Sequence, residues 1–226
     1  MVHVVVLGGT GPSGQCIIEE ALSQNLKVTV YARTPSKLPP NITSSPSVTI
    51  VQGSLNDKEA IRTAIHGADA VFSALGPSLS VNTAINGLVH PGTPIAEGYK
   101  VILEVMKEEG VKRLIALGTV SIPAEEDGRS IVKWGMVTAV WAFLHSAWKD
   151  VVAFGNAIKN SEGIDWTIAR VGKLTSGAGG KVQAGYIGKD GSGVCVARKD
   201  LAKWYLDEFE KGNWIHKMPV IYSTGS

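Results

Sequence analysis

Val2-His3-Val4-Val5-Val6-Leu7 runs directly into Gly8-Gly9-Thr10-Gly11-Pro12-Ser13-Gly14. The first six residues are a nearly unbroken β-branched and apolar run, the composition of a strand buried on both faces of a parallel sheet. Residues 13–24 then carry helical apolar spacing through Cys16, Ile17 and Leu22. The glycine-rich turn therefore sits between a strand and a helix. Gly8, Gly11 and Gly14 follow the spacing G-x-x-G-x-x-G. Small residues at these positions permit a tight turn, close approach of backbone N–H groups to a pyrophosphate, and close packing of helix on strand. The helix N-terminus faces the anion. In that context the turn reads as a dinucleotide-binding loop, with a bare structural turn as the alternative.

Outward from this unit the alternation repeats. Strands are expected at 27–32, 48–51, 68–74, 111–117 and 165–169, and helices at 57–65, 94–109, 131–160 and 199–210, with further strands near 181–187 and 193–196. Serial βα winding with right-handed crossovers predicts an α/β fold, a doubly wound parallel sheet with a small C-terminal substrate-binding elaboration. Pro/Ser-rich 39–47 and glycine-rich 176–180 read as surface loops and not as domain boundaries, so residues 1–226 are expected to form one domain. The unpatterned connection 78–92 contains Asn82, Asn86 and His90 and is either functional or merely a long loop.

Composition narrows the partners. Lys and Arg total 22 against 20 Asp and Glu, a formal charge of +2 with no dense basic cluster, which removes the usual electrostatic basis for nucleic-acid binding. Cys16 and Cys195 lie far apart without a Cys-x-x-Cys pattern, so neither a disulfide framework nor a metal site is expected. No secretory leader is read at the N-terminus, and the longest apolar stretch, 131–148, is interrupted by Lys133 and His145. The expectation is a soluble, cytoplasmic monomer or homodimer with a small-molecule partner and no membrane contact.

The end of the second strand decides between NAD and NADP. An acid there would bond a free ribose 2′-hydroxyl, whereas an Arg would accommodate a 2′-phosphate. The sequence offers Tyr31-Ala32-Arg33-Thr34-Pro35-Ser36-Lys37, without Asp or Glu. NADP is the expected cofactor; the alternative makes Arg33 and Lys37 ordinary solvated charges.

These segments, with VQGSLND, VFSALG, RLIALGTVS, SEGIDWTIARVGKLT and AGYIGKDGSGVCVARKDLAKW downstream, resemble the atypical short-chain dehydrogenases/reductases. The similarity is to the NmrA-like branch and the flavin reductase (biliverdin-IXβ reductase) group, and it extends over nearly the whole chain. It implies that Thr10, Gly11, Pro12 and Ser13 wrap the pyrophosphate, Arg33 meets the 2′-phosphate, and Ser54 and Leu55 border the adenine. Ala74, Leu75 and Gly76 would lie on the adenosine side, and Leu117, Gly118, Thr119, Val171, Gly172, Lys173 and Leu174 beside the nicotinamide.

The chain also departs from the wider pattern. A typical short-chain dehydrogenase carries a Tyr and a Lys four residues apart, the Lys helping the Tyr to protonate a carbonyl oxygen. Counting back from SEGIDWT puts Ala147 and Val151 at those places, and counting forward from Ser121 puts Trp134 and Thr138 there. Neither register supplies the pair. The flavin reductase group also manages without it, which keeps a reductase of flat or hydrophobic acceptors (flavin, quinone or enone type) as the leading reading.

Thr119 and Ser121 are candidates to steady the acceptor, or else strand-end caps. His145 and Lys149, four apart, are candidate acid–base groups if they face the cleft. Trp134, Trp141 and Trp148 recur every seven residues, as packing on one helix face or as an aromatic wall for a flat substrate. Two other functions stay open: an NADP(H)-sensing regulator, and a non-redox isomerase or cyclase on the same fold.

Overall fold

The computed structural model describes residues 1–76, 92–128, 145–189, 193 and 195–224. Strand β1 (His3–Leu7) is buried along its whole length because its side chains alternate between two apolar layers. Val5 and Leu7 enter one layer and Val4 and Val6 the other. After β1 come α1 (Pro12–Ser23), β2 (Lys27–Ala32), the one-turn helix α2 (Pro40–Thr43) and β3 (Val48–Gln52). Next are α3 (Lys58–Ile65), β4 (Ala70–Ser73), α4 (Pro94–Glu108), β5 (Arg113–Thr119), α5 (His145–Lys159) and β6 (Asp165–Val171). The last elements are β7 (Lys173–Thr175), β8 (Lys181–Gly185), β9 (Cys195–Ala197), α6 (Arg198–Lys211) and β10 (Val220–Thr224).

Eight strands form one sheet in the order β3-β2-β1-β4-β5-β6-β10-β8, parallel except where β8 runs against β10. The doubly wound parallel sheet expected from the sequence is therefore present. Winding runs outward from β1 to β3, then restarts on the other side with β4, so the ends of β1 and β4 diverge at a topological switch point. Helices α3, α4 and α5 cover one face through Ile61, Tyr99, Ile102 and Phe154. On the other face, α1 and α6 bury Ile17, Ile18, Leu201 and Tyr205.

Helix boundaries follow local chemistry. Asp57 caps α3 by accepting a hydrogen bond from the Ala60 backbone N–H at 3.0 Å, and Pro12 occupies the first turn of α1, where a missing N–H costs nothing. Helix α4 is capped from elsewhere in the chain: the buried Asp150 carboxylate on α5 accepts from the Ile95 and Ala96 N–H groups at 3.0 and 2.8 Å. Burial pushes the Asp150 carboxyl above the usual carboxylate range, and those two backbone donors pull it partly back.

Arg170 on β6 is wholly buried and pairs with both oxygens of Asp127, at 2.6 and 2.7 Å, while also donating to the Ile122 and Met218 carbonyls. This fork ties the segment after β5 to β6 and to the approach of β10.

The fold departs from the sequence reading in several places. Strand β10 was not expected, and its pairings with β6 and β8 are long-range. Residues 181–187 and 193–196, read as two similar strands, belong to different sheets: β8 joins the large one, and β9 pairs with the unexpected β7 in a separate ribbon. The 39–47 loop contains a helical turn because Ile42 is buried against the α1 face. Of the helix expected at 131–160, residues 131–144 lie outside the described residues.

Candidate functional site

The site grows from the end of β1. The Leu7 carbonyl accepts from the Ala74 N–H at 2.9 Å, holding the exits of β1 and β4 side by side. Gly8 turns the chain with φ +75°, and a Cβ there would stand 2.9 Å from the Ala74 carbonyl carbon and oxygen. Gly11 N–H donates to the Gly8 carbonyl at 3.0 Å, closing the turn. A Cβ on Gly14 would collide with that same Gly8 carbonyl, so the start of α1 packs against the turn only because Gly14 has no side chain. The loop is thus held tightly at Gly8 and Gly14, while a Cβ on Gly11 would make only an ordinary contact with the Gly8 carbonyl and Gly76 presents its backbone to open space.

That space is a cleft of two lobes above the C-terminal ends of the strands, sharing Gly11, Ala74, Leu75 and Gly76. The first lobe, about 520 Å³, is lined by Gly8, Thr10, Arg33, Ser54 and Leu55, together with Tyr31, Lys37 and Gly53. Arg33 and Lys37 are exposed at its rim. Tyr31 donates to the Ser54 carbonyl at 2.6 Å, and burial pushes its phenol up to about 12, so it holds the Gly53–Ser54 turn as a neutral donor. The second lobe, about 680 Å³, is lined by Pro12, Ser13 and Gly14 from α1 and by Leu117, Gly118 and Thr119 from β5. Val171, Gly172, Lys173 and Leu174 complete it beyond β6, with Val151, Phe154 and Arg198.

Every residue expected from the sequence to meet the dinucleotide thus lies on one continuous cleft. Its chemistry suits an anionic nucleotide: a glycine cradle with backbone facing the open volume, a helix N-terminus, and cations at the first lobe's rim. No Asp, Glu or His is among the described residues lining either lobe.

The catalytic expectations fare less evenly. Thr119 lines the second lobe, and its Oγ1 accepts from the Ser121 N–H at 3.2 Å. Ser121 itself is buried and does not line the cleft, because the chain turns away after Thr119. His145 and Lys149 also fall outside it, both exposed on α5. The helix turns Ala147, Asp150, Val151 and Phe154 inward, and positions 145 and 149 fall on the outer face. The His145 ring stacks against Trp148, centroids 5.7 Å apart. Trp134, Trp141 and His90 lie outside the described residues.

In the second lobe, sequence reasoning missed three lining residues. Val151, where the counting placed a catalytic Lys, gives an apolar side chain to the second lobe, and Phe154 follows three residues along the same helix face. Phe154 stacks on Tyr99 at 5.1 Å, whose hydroxyl bonds Ser73 Oγ at 2.6 Å, so this wall is braced from behind. Arg198, the first residue of α6, had no signal beyond its charge.

A family model described as NAD(P)H-binding matches residues 8–211. The chain belongs to this NAD(P)H-binding family. Among curated relatives, an oxidoreductase of Pestalotiopsis microspora is 27% identical over 142 residues, covering 59% of this chain and 52% of that protein. An oxidoreductase of Dothistroma septosporum is 38% identical over 79 residues, covering 33% and 30%. The chain spans about half or less of the length of these relatives.

Solved structures share the fold almost end to end. A short-chain dehydrogenase/reductase from Veillonella parvula in complex with NADP has a TM-score of 0.78 at 16% identity, covering 99% of this chain and 95% of that one. The anaerobillin reductase ChuY from Escherichia coli O157:H7 has a TM-score of 0.73 at 16% identity, covering 100% and 98%. No helix among the described residues is long and apolar enough to cross a membrane, and no cluster of three potential metal ligands occurs among them.

Proposed function

We propose that the chain is an NADPH-dependent reductase of a flat, hydrophobic small molecule of the flavin, quinone or enone type. The observation that carries this reading is the second lobe's wall: Val151, at the place that counting back from SEGIDWT gives the Lys of carbonyl-reducing relatives, presents apolar surface, and Phe154 extends it. The bound cofactor would supply a hydride from nicotinamide C4. The protein's part is positioning. The backbone of Thr10 to Ser13 takes the pyrophosphate, and Arg33 takes the 2′-phosphate, selecting NADP over NAD. Leu117, Gly118 and the turn from Val171 to Leu174 hold the nicotinamide side, while Val151 and Phe154 exclude water and support a planar acceptor. The Thr119 hydroxyl, its Oγ1 already accepting from Ser121 N–H, has a proton left to donate to an acceptor oxygen or nitrogen.

The test is NADPH oxidation against a panel of flavins, quinones and enones. Turnover of at least one acceptor is expected, and Thr119→Val should lower kcat by about tenfold or less, below the roughly 10²–10⁴ that loss of a general acid produces. No binding of either dinucleotide would overturn the reading.

The apolar Val151 position also favours a second reading, an NADP(H) sensor that signals through a partner. Stoichiometric NADPH binding with no oxidation across the panel would select it. The isomerase or cyclase reading relied on His145, Lys149 or Thr119, and the outer-face positions of the first two leave it Thr119 alone.

A further inference from the structure

Three arginines of the described fold place guanidinium nitrogen in the interior, and two of them are paired with acids, although Arg113 Nε, like Arg198 Nε, is buried without an acceptor. Arg170 holds Asp127, and Arg113 donates to Glu208 at 2.7 Å. Arg198 differs. It donates through Nη1 to the neutral Ser176 hydroxyl at 2.9 Å, and its Nε is buried with no hydrogen-bond acceptor. Among the described residues no carboxylate lies within ion-pairing distance of it. The acid of its own helical turn, Asp200, is committed elsewhere, accepting from Gly180 N–H at 2.8 Å and Ser223 Oγ at 2.5 Å. Glu19 shares a side pocket with Arg198 and Lys199, and its Oε1 accepts from Asn41 Nδ2 at 3.0 Å.

The placement is also electrostatically uphill. Arg198 and Lys199 are the first two residues of α6, where the helix dipole disfavours cations. Arg198 lines the second lobe together with Pro12 and Ser13 at the start of α1. An anion held there would meet a guanidinium with unspent donors and would offset the opposing dipole.

We propose that Arg198 is a cofactor-binding residue, a pyrophosphate anchor reaching from the C-terminal part of the chain. This rests on the dinucleotide reading above. Turning the side chain from Ser176 toward Pro12 and Ser13 would release the buried Nε and exchange a neutral acceptor for a phosphate oxygen. Arg198 would then act on the phosphate bridge that NADH and NADPH share, whereas Arg33 would act on the 2′-phosphate alone.

The test is calorimetric titration of the full chain and its Arg198→Gln and Arg198→Lys variants with NADPH, NADH and adenosine 2′-monophosphate, which lacks the pyrophosphate. Arg198→Gln should weaken both dinucleotides by the same factor, about 10- to 100-fold, and leave adenosine 2′-monophosphate unchanged. Arg198→Lys keeps the charge without the fork and should lose several-fold on both dinucleotides. Should the Gln variant fail to fold, the Lys variant decides: wild-type affinity for both dinucleotides overturns the proposal. So does wild-type affinity in a folded Gln variant, or equal weakening of adenosine 2′-monophosphate. If the unaltered chain binds neither dinucleotide, the cofactor reading itself fails, independently of Arg198.

Discussion

In the first lobe of the cleft a ligand would meet backbone, a tyrosine-pinned turn and two exposed cations, all supplied within residues 7–56 apart from the shared rim and the start of α4. In the second it would meet mainly apolar side chains brought from β5, α5 and the turn after β6, with Lys173 in that turn and Arg198 at the head of α6. The first is a surface that local sequence builds, largely from a turn and backbone. The second is assembled by tertiary packing. On the proposed reading, recognition of the 2′-phosphate and choice of acceptor fall in different lobes, and substitutions should divide along that line.

The largest expected effect falls behind the second lobe. Arg170→Ala takes the charged fork away from Asp127, which keeps its bonds from the Ala124 and Ile187 N–H groups, and removes donors from two interior carbonyls, at a cost of about 3–5 kcal/mol in urea denaturation. If the variant unfolds at the wild-type urea midpoint, the Arg170 fork does not hold this lobe together. Next is Gly14→Val, which drives a side chain into the Gly8 carbonyl. About 2–3 kcal/mol of stability should be lost, together with affinity for both dinucleotides. Retained binding would mean that the loop can relax without losing its cradle.

Arg33→Gln should weaken NADPH by about 10- to 100-fold and leave NADH unchanged, as titrations with the two cofactors would show. Equal weakening of both would move Arg33 off the 2′-phosphate. The smallest effect concerns the tie between the lobes. Asp150→Ala removes the cap on α4, whose first turn borders the first lobe, and should cost about 1–2 kcal/mol in thermal unfolding.

Asp150 also carries a pH signature. Its folded carboxyl binds a proton more tightly than the unfolded one, so its stability contribution is present at low pH and is lost as pH rises from the ordinary aspartate range through the raised value. Wild type should therefore lose ground against Asp150→Asn as pH rises through that window. A stability difference independent of pH would remove the burial effect assigned to Asp150.

The same contrast explains what could be read in advance. The β1 run, the glycine spacing and Arg33 are local signals, and they led to the sheet, the switch point and the first lobe. Val151 was located by counting, but its consequence depends on the phase of α5, which turns residues 147, 150, 151 and 154 inward and leaves His145 and Lys149 outside. Strand β10 and Arg198 had no local signature. The strand owes its place to long-range pairing with β6 and β8, and the arginine's significance lies in having no carboxylate partner among the described residues.

The central claim is that the second lobe presents an acceptor to the nicotinamide for hydride transfer. The most direct measurement uses NADPH carrying deuterium at both C4 positions with an enone acceptor, because a label delivered to carbon does not exchange with water. Mass spectrometry of the product should find one deuterium per turnover, matched by loss of reduced cofactor. Product formed without label, or without consumption of NADPH, would contradict the account.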